Sequence, residues 1–235
     1  TQLSNSPTRN VGYEILSQLP KEDHIAPMLS LNKTKDREEL RDWLKDEEGL
    51  LSFKLDGLTI VLTYNEGKLF KAVTRGNGAI GEVVTNNAKT FKNIPMTIPY
   101  KGELILRGEA VILYSDFKKI NEELDLDNQY KNPRNLCSGS VRQLNNEITD
   151  KRNVRFYGFT LVSCDEKDNL ATKSDEIDWL SSLGFECVEY LKVRKETILE
   201  DLETFALKVE KSDIGTDGLV LTFNSKEYSS SLGTT

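Results

Sequence analysis

The chain has 235 residues, of which 37% are hydrophobic, enough apolar material for one large domain or two small lobes. Its formal net charge of −7 argues against a general nucleic-acid coat protein, which would normally be basic. No apolar run approaches the roughly 18 residues of a membrane span. Because the first residues are also polar, we expect a cytoplasmic protein without a membrane segment.

The counts of cysteine and histidine exclude several kinds of site. The three cysteines stand far apart, a spacing that suggests neither a disulfide framework nor a Cys-x-x-Cys zinc site. We expect them to be small buried hydrophobic residues. His24 is the only histidine, so a Ser-His-Asp triad and a multi-histidine metal site are both excluded.

Two short helices are predicted before residue 50. Residues 1–10 are polar, and we interpret them as a linker or the remnant of an upstream region, followed by one domain over residues 11–235. The apolar spacing of residues 11–19 predicts a short helix. A second helix is predicted from Asp36, which has Glu39 three residues later, as in a capping box.

Residues 50–62 place one lysine and one carboxylate between two β-prone apolar runs. The pattern predicts a strand, a break at Asp56 and Gly57, and a second strand. Lys54, at the end of a mostly buried strand, would lose hydration, which favours the neutral amine that a covalent catalyst needs. The alternative is an edge or surface lysine without a catalytic role.

The rest of the chain alternates short strands and helices. Further strands are predicted over residues 58–64 and 68–74, joined as a hairpin, and over 104–113, 155–162 and 218–223. Helices are predicted over residues 82–91, 115–124 and 135–145, with capped helices starting from Thr172 and Thr197. This order is too irregular for a Rossmann sheet. We therefore predict an α+β fold of mainly antiparallel sheets packed by peripheral helices.

Two arginines stand out in a basic stretch of this acidic chain. Arg134, Ser138 and Arg142 are spaced at i, i+4 and i+8, so a helix would place them along one side. Two guanidinium groups on one stripe can contact adjacent phosphates. The alternative is a solvated face of mixed charge.

Five sequence motifs follow one another along the chain. They are KLDG at 54–57, TRGNG at 74–78, RGE at 107–109, NPRN at 132–135 with GSVRQL at 139–144, and DGLV at 217–220. In this order they resemble the adenylation (nucleotidyltransferase) domain of bacterial-type NAD+-dependent DNA ligases, over about residues 6–235. The resemblance implies the covalent nucleotidyltransferase fold.

The resemblance also implies an activity. A lysine takes AMP from NAD+ as a covalent intermediate and passes it to the 5′-phosphate of nicked double-stranded DNA, whose sealing serves DNA replication and repair. NAD+ as the AMP donor and Mg²⁺ are the implied cofactors. We expect the chain, which stops before the family's last motif, to be an incomplete part of a larger, monomeric, multidomain ligase.

By resemblance, five residues act on the reacting groups. Lys54 is the expected nucleophile and Asp56 is expected to orient or assist it. Asp217 is expected on the Mg²⁺ side of the site. Arg134 and Arg142 match the two arginines that contact the nick and its phosphates.

Five other residues are expected to bind the nucleotide. By resemblance, Ser30 and Leu31 lie against the adenine and Phe159 stacks on it, although core packing is the alternative for Phe159. Glu109 is expected to hold the ribose hydroxyls. Arg75 is expected near the ribose or a phosphate.

Two positions depart from the family pattern. Ser52 stands where the family commonly has a glutamate that contacts the adenine amino group, and Thr222 stands where it has a lysine that contacts the α-phosphate. These departures keep open a second hypothesis, a non-catalytic adenosine- or DNA-binding module. An ATP- or GTP-using relative is less favoured, because the NPRN and GSVRQL motifs point to the NAD+ branch.

Overall fold

The computed structural model describes residues 19, 21–23 and 37–233. Several sequence predictions fall outside this part of the chain. They are the helix over residues 11–19 apart from its last residue, the helix start at Asp36, the histidine His24, and the adenine contacts Ser30 and Leu31.

Within the described residues the chain forms nine strands and eight α-helices. The strands are β1 Lys21–Asp23, β2 Gly49–Leu55, β3 Leu58–Asn65, β4 Lys68–Thr74, β5 Ile80–Glu82, β6 Leu104–Val111, β7 Arg155–Ser163, β8 Tyr190–Val193 and β9 Thr216–Phe223. The helices are α1 Arg37–Leu44, α2 Thr85–Ala88, α3 Tyr114–Glu122, α4 Pro133–Val141, α5 Asn146–Asp150, α6 Lys173–Ser182, α7 Ile198–Lys211 and α8 Lys226–Ser231.

These strands form three sheets in which every strand pairing is antiparallel. The largest has the order β4-β3-β6-β7, the second β8-β2-β9, and the smallest consists of β1 and β5. Helices cover the sheets, so the predicted α+β class is confirmed. The hairpin between β3 and β4 and the strand, break and strand around Lys54 are also confirmed.

Consecutive strands β2 and β3 belong to different sheets. The sequence of residues 50–62 predicted the two strands but not this separation. The chain leaves the three-stranded sheet at Asp56 and enters the four-stranded sheet at Leu58. Gly57 allows this passage because a Cβ atom there would lie 1.9 Å from the carbonyl oxygen of Ala110 on β6. The KLDG motif is therefore the connection between the two larger sheets.

Each of these two sheets has its own apolar core on one face. The four-stranded sheet contributes buried side chains such as Ile60, Leu62 and Leu106 to the first core. In the three-stranded sheet, Leu51 belongs to the second core, and Phe53 packs against Phe205 of α7 with ring centroids 4.7 Å apart. Successive side chains of a strand alternate between faces. Residues next to these core positions therefore point to the opposite faces.

Two predicted helices are shorter than the sequence indicated. The helix predicted over residues 82–91 is only α2, Thr85–Ala88, preceded by strand β5, which pairs with β1. The helix predicted over 135–145 ends at Val141, and Arg142 is its C-cap with φ −94° and ψ 16°. The side chain of Asn87 donates hydrogen bonds to the carbonyls of Val141 and Gln143, at 2.5 and 2.7 Å. This long-range contact uses a carbonyl that would otherwise continue the helix.

The two predicted threonine caps have different outcomes. Thr172 accepts a hydrogen bond from the backbone N–H of Asp175 at 3.1 Å, which confirms the cap of α6. Thr197 precedes α7, but its side chain makes no capping bond, so that cap was predicted wrongly. Its φ of −119° and ψ of −10° differ from the extended backbone of a capping residue.

All three cysteines lie in the described part of the chain and are free. Cys137 is fully buried, as expected, whereas Cys164 and Cys187 are only partly buried and pack against the first core. Among the described helices, none has the length and apolar character that crossing a membrane requires.

Candidate active site

Lys54 lies opposite an irregularity in the pairing of β2 with β9. Phe53 pairs with Leu219 and the next pair joins Leu55 to Thr216, so two residues of β9, at 217 and 218, face Lys54 alone. Gly218 has a φ of +117°, a conformation that side chains rarely adopt. Such a β-bulge re-aims a side chain.

The bulge brings the first and last motifs together. Lys54 Nζ lies 3.6 Å from Asp217 Oδ2, and the two side chains are 39% and 58% exposed. The sequence predicted that Lys54 would lose its hydration, and the structure shows instead a side chain that solvent reaches. An exposed ion pair of this kind contributes at most about 1 kcal/mol. A ligand can therefore reach the amine and separate the pair at little cost.

Glu109 is the most buried carboxylate of the predicted site. Its side chain accepts hydrogen bonds from the backbone N–H of Gly57 at 3.1 Å and from the hydroxyl of Thr59 at 2.7 Å. Burial raises the pKa of the Glu109 carboxyl, and the charge of Asp56 raises it further, while its two hydrogen bonds and Arg75 act in the opposite direction. An ionised carboxylate has about four acceptor positions. Glu109 therefore retains capacity for a ligand hydroxyl.

Arg75 follows strand β4 and lies beside Glu109. Its backbone N–H donates to the carbonyl of Thr59 at 2.9 Å, and Thr59 pairs with Glu109 across β3 and β6. The loop after Arg75 is fixed by Asn77, whose side-chain oxygen accepts from the backbone N–H groups of Ala79 and Ile80. The backbone of Arg75 therefore lies next to the strand pair that carries Glu109, and the charge of Arg75 acts on the Glu109 carboxyl.

An aromatic residue that the sequence analysis missed faces Glu109. Tyr157 of β7 pairs directly with Glu109, so both side chains leave the same face of the sheet. Gly108 pairs with Gly158 and Arg107 with Thr160, which leaves Phe159 as the extra residue between these pairs. Only the register of β6 with β7 identifies Tyr157, and this register was not available from local sequence.

Each of the two predicted phosphate-binding arginines forms a salt bridge. Arg134 of α4 lies 3.6 Å from Asp56, and Arg142 lies 2.7 Å from Glu82, with about half of each arginine side chain exposed. Helix α4 begins with Pro133 after the N-cap Asn132. Eight residues of helix span roughly 12 Å. The two guanidinium groups therefore belong to opposite ends of α4.

Ser52 and Thr222, the two departures, lie on the face of the sheet that carries Lys54. Ser52 is two residues before Lys54 on β2, and Thr222 pairs with Leu50 of the same strand. Both side chains are short hydroxyls at these positions.

The carboxylates of the described residues do not form a preassembled metal centre. No group of three His, Cys, Asp or Glu side chains in this part of the chain could hold a metal ion. Mg²⁺ is commonly bound by one or two carboxylates together with water and substrate phosphates. The exposed carboxylate of Asp217 beside Lys54 fits that mode of binding.

Comparison with known proteins identifies a matching family and several similar sequences. The NAD-dependent DNA ligase adenylation domain family matches residues 16–235. The chain is 60% identical to the DNA ligase of Lachnoclostridium phytofermentans and 57% identical to that of Ruminiclostridium cellulolyticum, in each case over 99% of this chain. It spans only 36% of the length of each of these relatives.

The fold is similar to that of a solved archaeal ATP-dependent RNA ligase. The TM-score is 0.53 at 14% sequence identity, over 86% of this chain and 46% of the other. This likeness supports the covalent nucleotidyltransferase fold. Since the adenylation-domain family matches the chain from residue 16 to residue 235, the chain belongs to the family of NAD-dependent DNA ligase adenylation domains.

Proposed function

We propose that this chain is the adenylation part of an NAD+-dependent DNA ligase in which Lys54 is the nucleophile. The observation that carries the proposal is the meeting of Lys54 and Asp217 across the bulge of β2 and β9, at 3.6 Å. Glu109 supports it, because this buried carboxylate lies at the junction that follows Lys54 and bonds to the backbone of Gly57.

The proposed reaction begins with attack of Lys54 Nζ on the α-phosphorus of NAD+. A P–N bond forms as the P–O bond to nicotinamide mononucleotide breaks, the amine loses a proton, and AMP remains on Lys54 as a phosphoramidate. An oxygen of the DNA 5′-phosphate then attacks the AMP phosphorus and breaks the P–N bond. The 3′-hydroxyl finally attacks the 5′-phosphorus and releases AMP.

The side chains around Lys54 have separate proposed roles. Glu109 accepts hydrogen bonds from the ribose hydroxyls, and Arg75 beside it contacts the ribose or a phosphate. Tyr157 and Phe159 are the candidate adenine-stacking residues, a contact that contributes ~1–3 kcal/mol per base. Of these two, Tyr157 is directly opposite Glu109. Mg²⁺ bound through Asp217 would neutralise charge on the transferred phosphoryl group.

The proposed DNA substrate contacts helix α4 and its end. Arg134 and Arg142 are now paired with Asp56 and Glu82. Phosphates of nicked double-stranded DNA would replace these carboxylates as the partners of the two arginines. The proposal also includes a monomeric, multidomain, cytoplasmic protein of replication and repair. The lengths of the named relatives support further domains, because this chain spans 36% of each.

The test is the intact mass of the protein, extended to the length of its relatives, after incubation with NAD+ and Mg²⁺. We expect a mass increase of one AMP, mapped to Lys54 by peptide sequencing. Lys54→Ala should abolish it, and Lys54→Arg should do the same, since a guanidinium with a pKa above ~12 offers no free amine. Lys192→Ala, at an exposed lysine of the same sheet, is the matched control and should retain the adduct.

Two results would overturn the proposal. An adduct on another lysine with Lys54 unmodified would exclude Lys54 as the nucleophile. A protein that binds adenosine or DNA but forms no adduct would favour the non-catalytic module, a hypothesis that the short side chains of Ser52 and Thr222 keep open.

A further inference from the structure

The segment between α7 and β9 makes contacts that have no role in the site described so far. Asp213, in the middle of this segment, contacts the start of helix α3, 98 positions earlier in the chain than its own. Its carboxylate accepts hydrogen bonds from the backbone N–H of Ser115 at 3.0 Å and from the Ser115 hydroxyl at 2.6 Å. Its backbone carbonyl accepts from the N–H of Tyr114 at 2.8 Å. We call these three hydrogen bonds the Asp213 clamp.

The clamp supplies acceptors that helix α3 lacks locally. The first N–H groups of an α-helix have no partner within the helix, and the residue just before the helix commonly supplies a side-chain acceptor. In α3 that residue is Leu113, whose side chain makes no capping bond. Asp213 therefore caps the helix from a distant part of the chain, and its negative charge suits the positive end of the helix.

The same clamp joins the two larger sheets. Helix α3 begins shortly after strand β6, and its side chains Phe117 and Ile120 pack against the core of the four-stranded sheet. The segment that holds Asp213 leads instead into β9 of the three-stranded sheet. The passage at Gly57 is a covalent connection between the same two sheets. Two attachment points restrict the rotation of one sheet against the other more than one attachment does.

A short path links the clamp to Lys54. Two residues after Asp213, the carbonyl of Gly215 accepts a hydrogen bond from the backbone N–H of Asp56 at 2.9 Å. Two residues further on, Asp217 faces Lys54 across the bulge at 3.6 Å. Because this path is so short, a displacement at the clamp reaches the ion pair.

We propose that Asp213 is a positioning residue, whose clamp holds residues 215–217 against the KLDG junction and so sets the place of Lys54 relative to the four-stranded sheet. The inference rests on the proposed function for its reaction, because the groups that it positions are the proposed nucleophile and Asp217. Asp213 acts through these groups and contacts Ser115 itself. Alignment of a nucleophile can supply several kcal/mol of a barrier, so a small displacement slows the reaction strongly.

The opposite end of β9 provides an internal reference. Asn224, directly after the strand, donates from its backbone N–H to the carbonyl of Glu48 at 3.0 Å, and its side chain donates to the Glu48 carboxylate at 2.8 Å. Asn224 is 1% exposed and also accepts from the backbone N–H of Ser174 on α6 at 2.9 Å. These contacts are separate from the clamp. This end of β9 should therefore keep its place when the clamp is removed.

Amide hydrogen exchange, measured in the extended protein without nucleotide, tests the position of Gly215 directly. We expect Asp213→Ala to speed exchange of the Asp56 amide by tenfold or more, because its acceptor on Gly215 is no longer held, and to leave the Asn224 amide within twofold. Ser115→Ala removes only the hydroxyl donor and should give a smaller increase at Asp56. Equal acceleration of both amides, which general loosening would produce, or an unchanged Asp56 amide would overturn the inference.

The rate of AMP attachment from NAD+ to Lys54 is the functional readout. For Asp213→Ala we expect at least a tenfold lower rate at saturating NAD+ and a KM within twofold, since the proposed ribose contacts lie on the other sheet. Asp213→Asn should keep the rate within threefold of the parent, because its amide oxygen can accept from the Ser115 N–H and its amino group can donate to the hydroxyl. A loss in Asp213→Asn as large as that in Asp213→Ala would assign the effect to charge and overturn the positioning role.

Asn145→Ala is the matched control. It removes the side-chain cap of another helix, α5, where the Asn145 oxygen accepts from the N–H of Glu147 at 3.0 Å. It should leave both the adenylation rate and the exchange of the Asp56 amide unchanged.

The outcome is separable from that of the proposed function. A parent protein that forms no adduct on Lys54 would refute the adenylation proposal, while faster exchange of the Asp56 amide in Asp213→Ala would still show that the clamp holds the KLDG junction. A parent protein that is adenylated, with Asp213→Ala adenylated at the same rate, would refute only the positioning role.

Discussion

Gly57→Ala tests whether the passage between the two larger sheets sets the position of Lys54. An alanine Cβ at this position would lie 1.9 Å from the carbonyl oxygen of Ala110 and 2.9 Å from Val111 Cγ1. Real Cβ atoms essentially never approach closer than 3.0 Å, so the backbone must move by about 1.1 Å relative to Ala110. The obstacle is a backbone atom of a central strand, which cannot rotate away.

The cost of this displacement has two parts. Overpacking a buried position typically costs 1–3 kcal/mol. The hydrogen bond from the Gly57 N–H to the Glu109 carboxylate is lost or lengthened, and such bonds to charged groups contribute about 1.5–3 kcal/mol. We therefore expect Gly57→Ala to lower the free energy of unfolding by roughly 2.5–6 kcal/mol. Misplacing Lys54 by about 1 Å should slow adenylation on the order of 100-fold.

Urea unfolding measures the first effect, and the rate of AMP attachment from NAD+ in the extended protein measures the second. Gly158→Ala is the matched control, because the nearest atom to its added Cβ is the Cys187 sulfur at 3.4 Å, an ordinary contact. If Gly57→Ala matched Gly158→Ala in stability and in adenylation rate, the junction at Gly57 would not position Lys54.

Two further predictions concern the charged residues. Burial raises the pKa of Glu109 above its ordinary 4.5, so ionisation destabilises the folded state as pH rises from that value through the folded pKa. Glu109→Gln should remove this loss, and a stability difference between variant and parent that does not change with pH in urea unfolding would contradict the assignment. In the extended protein, Arg134→Ala and Arg142→Ala should weaken nick sealing far more than AMP binding. Each should also reduce, by roughly one unit, the slope of the logarithm of DNA affinity against the logarithm of salt concentration. Unchanged sealing and an unchanged slope would show instead that both arginines belong to a solvated face of mixed charge.

Local sequence predicted those parts of the fold that depend on local geometry. The strand, break and strand around Asp56 and Gly57 follow from a short apolar run with turn residues in its middle, and the structure has both strands. The cap at Thr172 follows from a hydroxyl placed before a helix. These features require contacts only between residues a few positions apart. The local sequence is therefore enough to predict them without the tertiary structure.

The features that the local sequence did not predict depend on contacts between residues far apart in the chain. No local signal shows that β2 and β3 enter different sheets, or that Tyr157 is opposite Glu109, since both depend on strand order and register. At the end of α4, the amide of Asn87 donates to the carbonyl of Val141 from 54 positions away, a contact that no local signal reveals.

The salt bridges of Arg134 and Arg142 connect the proposed DNA contacts to the nucleotide site. Asp56, which holds Arg134, is two residues after Lys54, and Glu82, which holds Arg142, follows the loop that begins at Arg75. Pairs as exposed as these contribute only about 0–1 kcal/mol, so a DNA phosphate can displace either carboxylate cheaply. Meanwhile each carboxylate keeps its guanidinium beside the proposed nucleotide site. If Lys54 carries AMP as proposed, the change of charge at Lys54 would act on Asp56 and therefore on the partner available to Arg134. The adenylated and free forms are therefore expected to present different electrostatic surfaces to a nick.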